Sequence, residues 1–299
     1  MWGNFFSKKF PHRERKRTEK ERNMKKIGFV DYYLSEWHAN NYPAWIKEAN
    51  PEWEVAYAWA EEDVSPRDGV TTAEWCAKFG AEACASLEEL CEKSDAILIL
   101  APTDPDRHLK YAKTVLPYGK RTYIDKTFAP NLAEAEEIFA IAKQYNTPFF
   151  STSALRYADE LNAYGEPDVM MVTGGGASVS EYIIHLIEMV VKKMGKQAER
   201  IRATRFASGY NFTVAFADGR EALMTFEGSL SFVAYMKKEG VKGTTTKIAS
   251  PFFANLIADI LRFYEEGTVS FDVTETLAVI RLRDAALRAA ETLDTWIAV

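Results

Sequence analysis

Apolar and polar positions follow two regimes along this chain. From about residue 25 to 153, strand-sized apolar runs alternate with stretches of helical period. "KIGFV", "EVAYAWA", "AILILAP", "RTYIDKT" and "PFFSTSA" are the runs, each too short for a helix and bounded by turn residues. Between them "TTAEWCAKFG", "SLEELCEKS", "RHLKYAKTVLPYG" and "NLAEAEEIFAIAKQYN" read as amphipathic helices. The punctuation agrees. Ser35 is placed to N-cap a helix beginning Glu36-Trp37, and Ser86 with Glu89 spells a capping box. Asp104-Pro105 opens the next helix with proline in its first turn. Strand and helix in alternation, joined by short links, predict an α/β unit with a doubly wound parallel sheet. Ligands of such sheets sit at the carboxyl ends of the strands. That edge would gather Asp31, Pro102, Lys126 and Ser151 to Ser153.

Beyond about residue 154 the pattern changes. "DVMMVTGGG" precedes a long apolar helix, "VSEYIIHLIEMVVKKMG". "ERIRATRF", "YNFTVAFADG", "EALMTFEGS" and "SFVAYMKKE" alternate in period two, and Asp218-Gly219 between two of them is a hairpin signal. Two helices, "PFFANLIADILRFYEEG" and "TETLAVIRLRDAALRAAETLDTWIAV", follow. This is an α+β domain with a mostly antiparallel open sheet. The expected division is 1–23, a basic disordered extension; 24–153, a nucleotide-binding-type domain; and 154–299, a substrate and oligomerisation domain.

Charge sharpens this division. The net charge of −6 hides a head, residues 1–23, with eight basic and three acidic side chains, which leaves −11 for the remainder. An acidic body argues against nucleic acid as partner. The head has no apolar stretch of signal-peptide type, and Met24 reads as an alternative start. No apolar run approaches the roughly 20 residues of a membrane span. Cys76, Cys84 and Cys91 are odd in number and form no CxxC, so a reduced, cytoplasmic protein with packing cysteines is expected.

Two places can carry chemistry. Lys126 ends a strand, where it is either a solvated lysine or a donor to a substrate oxygen. Glu181, His185 and Glu188 share one face of an otherwise apolar helix. Polar groups on a buried helix cost free energy unless satisfied. Glu181 could close a capping box with Ser178 while His185 and Glu188 are satisfied at a domain boundary. Alternatively His185 exchanges protons and Glu181 orients it. Three such ligands also suggest a metal, but nothing else in the chain completes a site. His108, near the ligand edge, and His38, beside Trp37, are further candidates. "SEWHANNYPAW" has the aromatic and amide content that suits sugar hydroxyls or ordinary packing.

"AILILAPTDPDRH", "YGKRTYIDKTFAPNLAEAEEI" and "GGGASVSEYIIHLIEMVVKKMG" resemble the Gfo/Idh/MocA oxidoreductases, the glucose-fructose oxidoreductase and inositol dehydrogenase family. Gly119-Lys120 and Ile124-Asp125-Lys126 are similar to its glycine-lysine and Glu-Lys-Pro pattern. Glu181, His185 and Glu188 are similar to its Asp-x3-His-x2-Asp. The resemblance implies a Rossmann domain followed by an open-sheet domain often used for homo-oligomerisation, NAD or NADP as cofactor, and a small polyhydroxy substrate. It assigns the catalytic set to Lys126, Glu181 and His185. The chain departs from the family at Thr127, where proline is expected, in its two glutamates, and in the 59 positions from Lys126 to His185, a shorter span than the family's.

The opening turn departs furthest. Glycines expected near Asp31, Tyr33 and Glu36 are absent, although such glycines give the tight turn and the close approach to a pyrophosphate. Residues placed to meet a cofactor would be Asp31, Tyr32, Tyr33, Pro102, Thr103, His108 and Asp125. A carboxylate at Asp31 would compete with phosphate for the helix amides. Two charges about 4 Å apart cost roughly 4 kcal/mol at an effective dielectric of about 20, about a thousandfold in affinity. The acid expected after the second strand is displaced too, with Glu61 just beyond Trp59-Ala60. Three readings stay open: an NAD(P)-dependent oxidoreductase on a sugar, sugar acid or cyclitol; a cofactor-free sugar-binding regulator or partner protein; and a non-redox lyase or epimerase.

Overall fold

The computed structural model describes residues 24–299; the basic head expected to be a disordered extension, 1–23, lies outside the described residues. The first unit is built on β1 (Lys25–Asp31), β2 (Trp53–Ala60), β3 (Glu82–Ala83), β4 (Ala96–Ile99), β5 (Thr122–Ile124) and β6 (Phe149–Phe150). They form one parallel sheet in the order β3-β2-β1-β4-β5-β6. The order reverses direction between β1 and β4, which opens a crevice at their carboxyl ends. β1 and β4 are buried on both faces, which explains why their sequences run apolar without alternation. Gly28 in β1 lets the helix Leu87–Lys93 approach closely. A Cβ there would collide with Ser94 Oγ and stand 2.5 Å from Leu90 Cδ2.

The second sheet contains β7 (Val169–Gly174), β8 (Ala198–Phe206), β9 (Gly209–Phe216), β10 (Glu221–Glu227), β11 (Val233–Lys237), β12 (Thr244–Lys247) and β13 (Ile297–Ala298). Its order is β12-β11-β7-β10-β9-β8-β13, and every pairing except β7 with β10 is antiparallel. The Asp218-Gly219 hairpin forms as expected, with Gly219 at φ 85°. The helix Val179–Met194 lies against this sheet and buries its apolar residues there.

The helix Phe252–Glu266 returns to the first sheet. Its Leu256, Ile257, Ile260 and Phe263 join Ile27, Phe29, Leu98 and Phe150 in one core. Tyr264 donates to the Ile97 carbonyl at 2.6 Å, and Trp53 donates through Nε1 to Glu265 at 2.6 Å. This return carries Phe252 and Phe253 to the ligand edge. The three cysteines are buried and free. Burial pushes their thiols up, to about 11 for Cys76 and Cys84 and about 12 for Cys91, so they pack rather than react. Among the described residues no helix is long and apolar enough to cross a membrane.

Some local signals resolve differently. Asp104 makes no side-chain cap; a single 3-10 turn, Pro105–Arg107, precedes the helix His108–Val115. Ser86 accepts from Glu89 N at 3.1 Å, but Glu89 turns to Ala85 N and Lys93, leaving that capping box half made. Gly28→Ala should destabilise the protein by about 1–3 kcal/mol through overpacking, read as a lower urea midpoint with an unchanged slope.

Candidate active site

A cavity of about 720 Å³ opens at the carboxyl edge of the first sheet, facing the helix Val179–Met194. Tyr33 and Glu36 reach it from the turn after β1, Pro102 and Thr103 from β4, Lys126 from β5, and Ser153 from β6. Glu181, Tyr182, His185 and Phe232 close it from the second unit, and Phe252 and Phe253 from the returning helix. It is mainly aromatic and apolar, with a few convergent polar groups, the usual character of a small-molecule site.

Lys126 is only 9 % exposed. Its Nζ donates to the Pro102 carbonyl at 3.3 Å and lies 5.9 Å from the centre of the Tyr182 ring. Of the two readings for Lys126, the solvated strand-end lysine does not match this burial. Asp125 next to it faces inward; its Oδ1 accepts from Lys126 N at 2.8 Å and from Tyr123 OH at 3.3 Å.

His185 is positioned by Ser153. Its Nδ1 pairs with Ser153 Oγ at 2.7 Å, and Ser153 Oγ also accepts from Leu155 N at 3.2 Å. Glu188 holds that strand end in place. It accepts from Thr152 Oγ1 at 2.9 Å and Ser153 N at 3.3 Å, and pairs with Arg156 Nε at 2.5 Å. Arg156 passes on to Glu275 at 2.7 Å. Burial, with the Lys126 charge and then His38, holds the His185 pKa down at about 3. The imidazole is therefore neutral across the physiological range. Glu181 N donates to the N-cap Ser178 Oγ at 3.3 Å, and Glu181 lines the cavity. Its expected hold on His185 is taken by Ser153.

The opening turn is arranged differently from the expectation. The N-cap of the helix Trp37–Ala49 is Glu36 rather than Ser35. The Glu36 carboxylate accepts from His38 N at 2.8 Å and from Ala39 N, the amides a bound anion would use. Ser35 instead donates to Asp68 at 2.7 Å. Asp31 is 1 % exposed and points away from these amides; its Oδ1 accepts from Tyr32 N at 2.7 Å and Ala101 N at 3.0 Å. Burial first, then the Glu36 charge, pushes its pKa well above the carboxylate range despite those two amides. The carboxyl group that meets the helix amides is thus that of Glu36, not Asp31. His38 Nδ1 lies 3.3 Å from Asp125 and 3.6 Å from Glu36, without hydrogen-bond alignment to either.

The sequence candidates therefore divide. Lys126, Glu181, His185, Tyr33, Pro102 and Thr103 meet at the cavity. His108 does not: fully buried, it touches the Leu100 carbonyl at 2.5 Å and the Phe128 carbonyl at 3.0 Å, and staples two strand ends together. Asp31 and Asp125 lie beneath the floor. Tyr32 turns outward under Arg107, 4.7 Å from its ring centre. Arg107 pairs with Glu61 at 3.1 Å, and Glu61 also holds Lys110 at 2.8 Å and Tyr111 OH at 2.9 Å. Tyr182, Phe232 and Phe253 were not foreseen. Their aromatic type was visible in the sequence, but the fold-back that brings them together was not.

A doubly wound parallel sheet joined to an open mixed sheet, with a cavity at the carboxyl edge of the first, defines a Rossmann-type unit followed by an α+β unit. Residues 43–153 match the model of the Gfo/Idh/MocA family, described as "Oxidoreductase family, NAD-binding Rossmann fold". The chain is 41% identical over 59 residues to "Uncharacterized oxidoreductase YhhX" of Escherichia coli (strain K12), covering 20% of this chain and 17% of that relative, so it spans about a sixth of the curated relative it matches. In fold it is similar to the myo-inositol dehydrogenase of Lactobacillus casei in complex with NAD(H) and myo-inositol, with a TM-score of 0.78 at 10% identity over 92% of this chain and 97% of that one. A myo-inositol dehydrogenase from Corynebacterium glutamicum ATCC 13032 gives 0.75 at 13% over 92% and 98%.

Glu188→Ala should cost about 3–5 kcal/mol, because it leaves Arg156 buried with half its compensation; urea unfolding measures the loss. The depressed histidine sets a pH dependence. Unfolded, His185 binds a proton near its ordinary value of 6.5, whereas folded it does so only near 3. Its contribution is complete above pH 6.5 and is lost as pH falls toward about 3. His185→Gln should flatten the stability curve within that window, and a curve parallel to the parent's would refute the assignment.

Proposed function

We propose that this chain is an NAD(P)-linked oxidoreductase acting on a ring-shaped polyhydroxy substrate, a cyclitol, sugar or sugar acid. The observation that carries the reading is the presence of Lys126 and a neutral His185 in one cavity at the switch point of the sheet, both beside Tyr182. The Tyr182 and His185 rings are 5.6 Å apart. Aromatic faces with a few hydrogen-bonding groups suit a polyol ring, and the myo-inositol bound by the Lactobacillus casei neighbour is of that class.

Lys126 would donate to the reacting oxygen, and His185 would accept the hydroxyl proton through the ring nitrogen that Ser153 does not hold. Ser153 keeps that ring oriented, and Glu181 places a negative charge on the same wall. The residues fit a nicotinamide at one end only: Tyr33, Pro102 and Thr103 would hold it beside Lys126. There it would supply the hydride acceptor or donor. At the pyrophosphate end Glu36 holds the helix amides, which favours a second reading, a polyol-binding or epimerising protein that works without a dinucleotide.

Lys126→Ala and His185→Ala should each lower turnover by about a hundredfold or more, measured with NADH, NADPH and their oxidised forms over a panel of cyclitols, sugars and sugar acids. Activity unchanged in both variants would sink the catalytic assignment. Substrate interconversion without any change in nicotinamide absorbance would establish the second reading.

A further inference from the structure

We infer that Glu36 is a built-in competitor for the cofactor's pyrophosphate, and that a dinucleotide enters this site only by displacing it. The inference rests on the oxidoreductase reading above. A helix N-terminus attracts an anion because its first amides have no partner within the helix and its dipole is positive there. In this chain the helix Trp37–Ala49 supplies its own anion: the Glu36 carboxylate takes both His38 N and Ala39 N. The side chain also borders the cavity, so the blocked amides face the space where a ligand would lie. A phosphate arriving there meets occupied donors and a carboxylate, and of the residues around the turn only Arg67, which also lines the cavity, offers it a positive charge.

The surroundings hold Glu36 in that pose. His38, whose backbone caps it, is wedged between Glu36 and Asp125. Asp31, where a dinucleotide turn needs glycine, fills the floor and is tied to Ala101 N. On the other side of the turn, Glu61 is already engaged by Arg107 and Lys110 at Oε1 and by Tyr111 at Oε2, so a ribose hydroxyl would compete with those donors for it. The chain has replaced the flexible, uncharged turn of a dinucleotide site with a self-satisfied acidic one. Displacement remains feasible because Glu36 caps through a side chain, which can rotate out while the helix stays folded.

The test is a titration of the full chain with NADH and NADPH, followed by nicotinamide fluorescence and by calorimetry, for the parent, Glu36→Ser and Glu36→Gln. Serine is itself a good N-cap, so Glu36→Ser keeps the helix while opening the amides; circular dichroism melts check that both variants fold. The parent should half-saturate only at millimolar cofactor. Glu36→Ser should bind tighter by about tenfold or more, and Glu36→Gln should fall between them because it loses the charge but keeps an acceptor. Equal affinity in all three proteins overturns the inference and leaves the oxidoreductase reading standing. Failure of all three to bind at 10 mM, roughly the practical limit of such a titration, overturns both.

Discussion

The site depends on one buried ionic contact, that of Glu188 with Arg156 and the end of β6. A carboxylate buried on an apolar helix is costly unless its lone pairs are filled. Thr152, Ser153 and Arg156 fill them. Because Thr152 and Ser153 belong to the first unit and Glu188 to the second, satisfying the charge ties the end of β6 to the helix of the second unit. Ser153, held by the same contact, then fixes the His185 ring. The chemistry of His185 is in this sense a consequence of where Glu188 finds its partners.

The opening turn answers a different constraint. Every helix must satisfy its first amides, and a dinucleotide-binding protein leaves that task to its ligand. This chain does it with Glu36. The exchange makes the turn stable without a ligand and gives the ligand edge a buried acidic group, with Asp31 and Asp125 beneath it. Ala101, at a φ of 54°, shows how closely the turn is drawn together, since its amide reaches back to Asp31 from a backbone region that residues other than glycine seldom adopt.

The division between legible and illegible features follows distance along the chain. The strands and helices of the first unit were readable because each is specified by residues within a few positions of one another. The Asp218-Gly219 hairpin was readable for the same reason. Lys126 and His185 were found because strand ends in doubly wound sheets and lone polar groups on apolar helices stand out. Ser35 was a reasonable cap by type, yet Asp68, 33 residues away, claimed its hydroxyl, and Glu36 replaced it. His108 resembled an edge residue by position and became a staple because two carbonyls, from Leu100 and Phe128, converge on its ring.

The sequence by itself determined the two regimes of periodicity, and with them the parallel sheet and the mostly antiparallel sheet, and it singled out Lys126 and His185 as candidates. Hydrophobic period and turn chemistry are local properties, and they suffice for that. The tertiary structure decided which side chain holds each polar group: Ser153 rather than Glu181 for His185, and Glu36 rather than Asp31 for the helix amides. It also brought the helix Phe252–Glu266 back to wall the cavity with Phe252 and Phe253. Those outcomes depend on which donors and acceptors are left unpaired once the sheets have packed, a quantity that no short stretch of sequence contains.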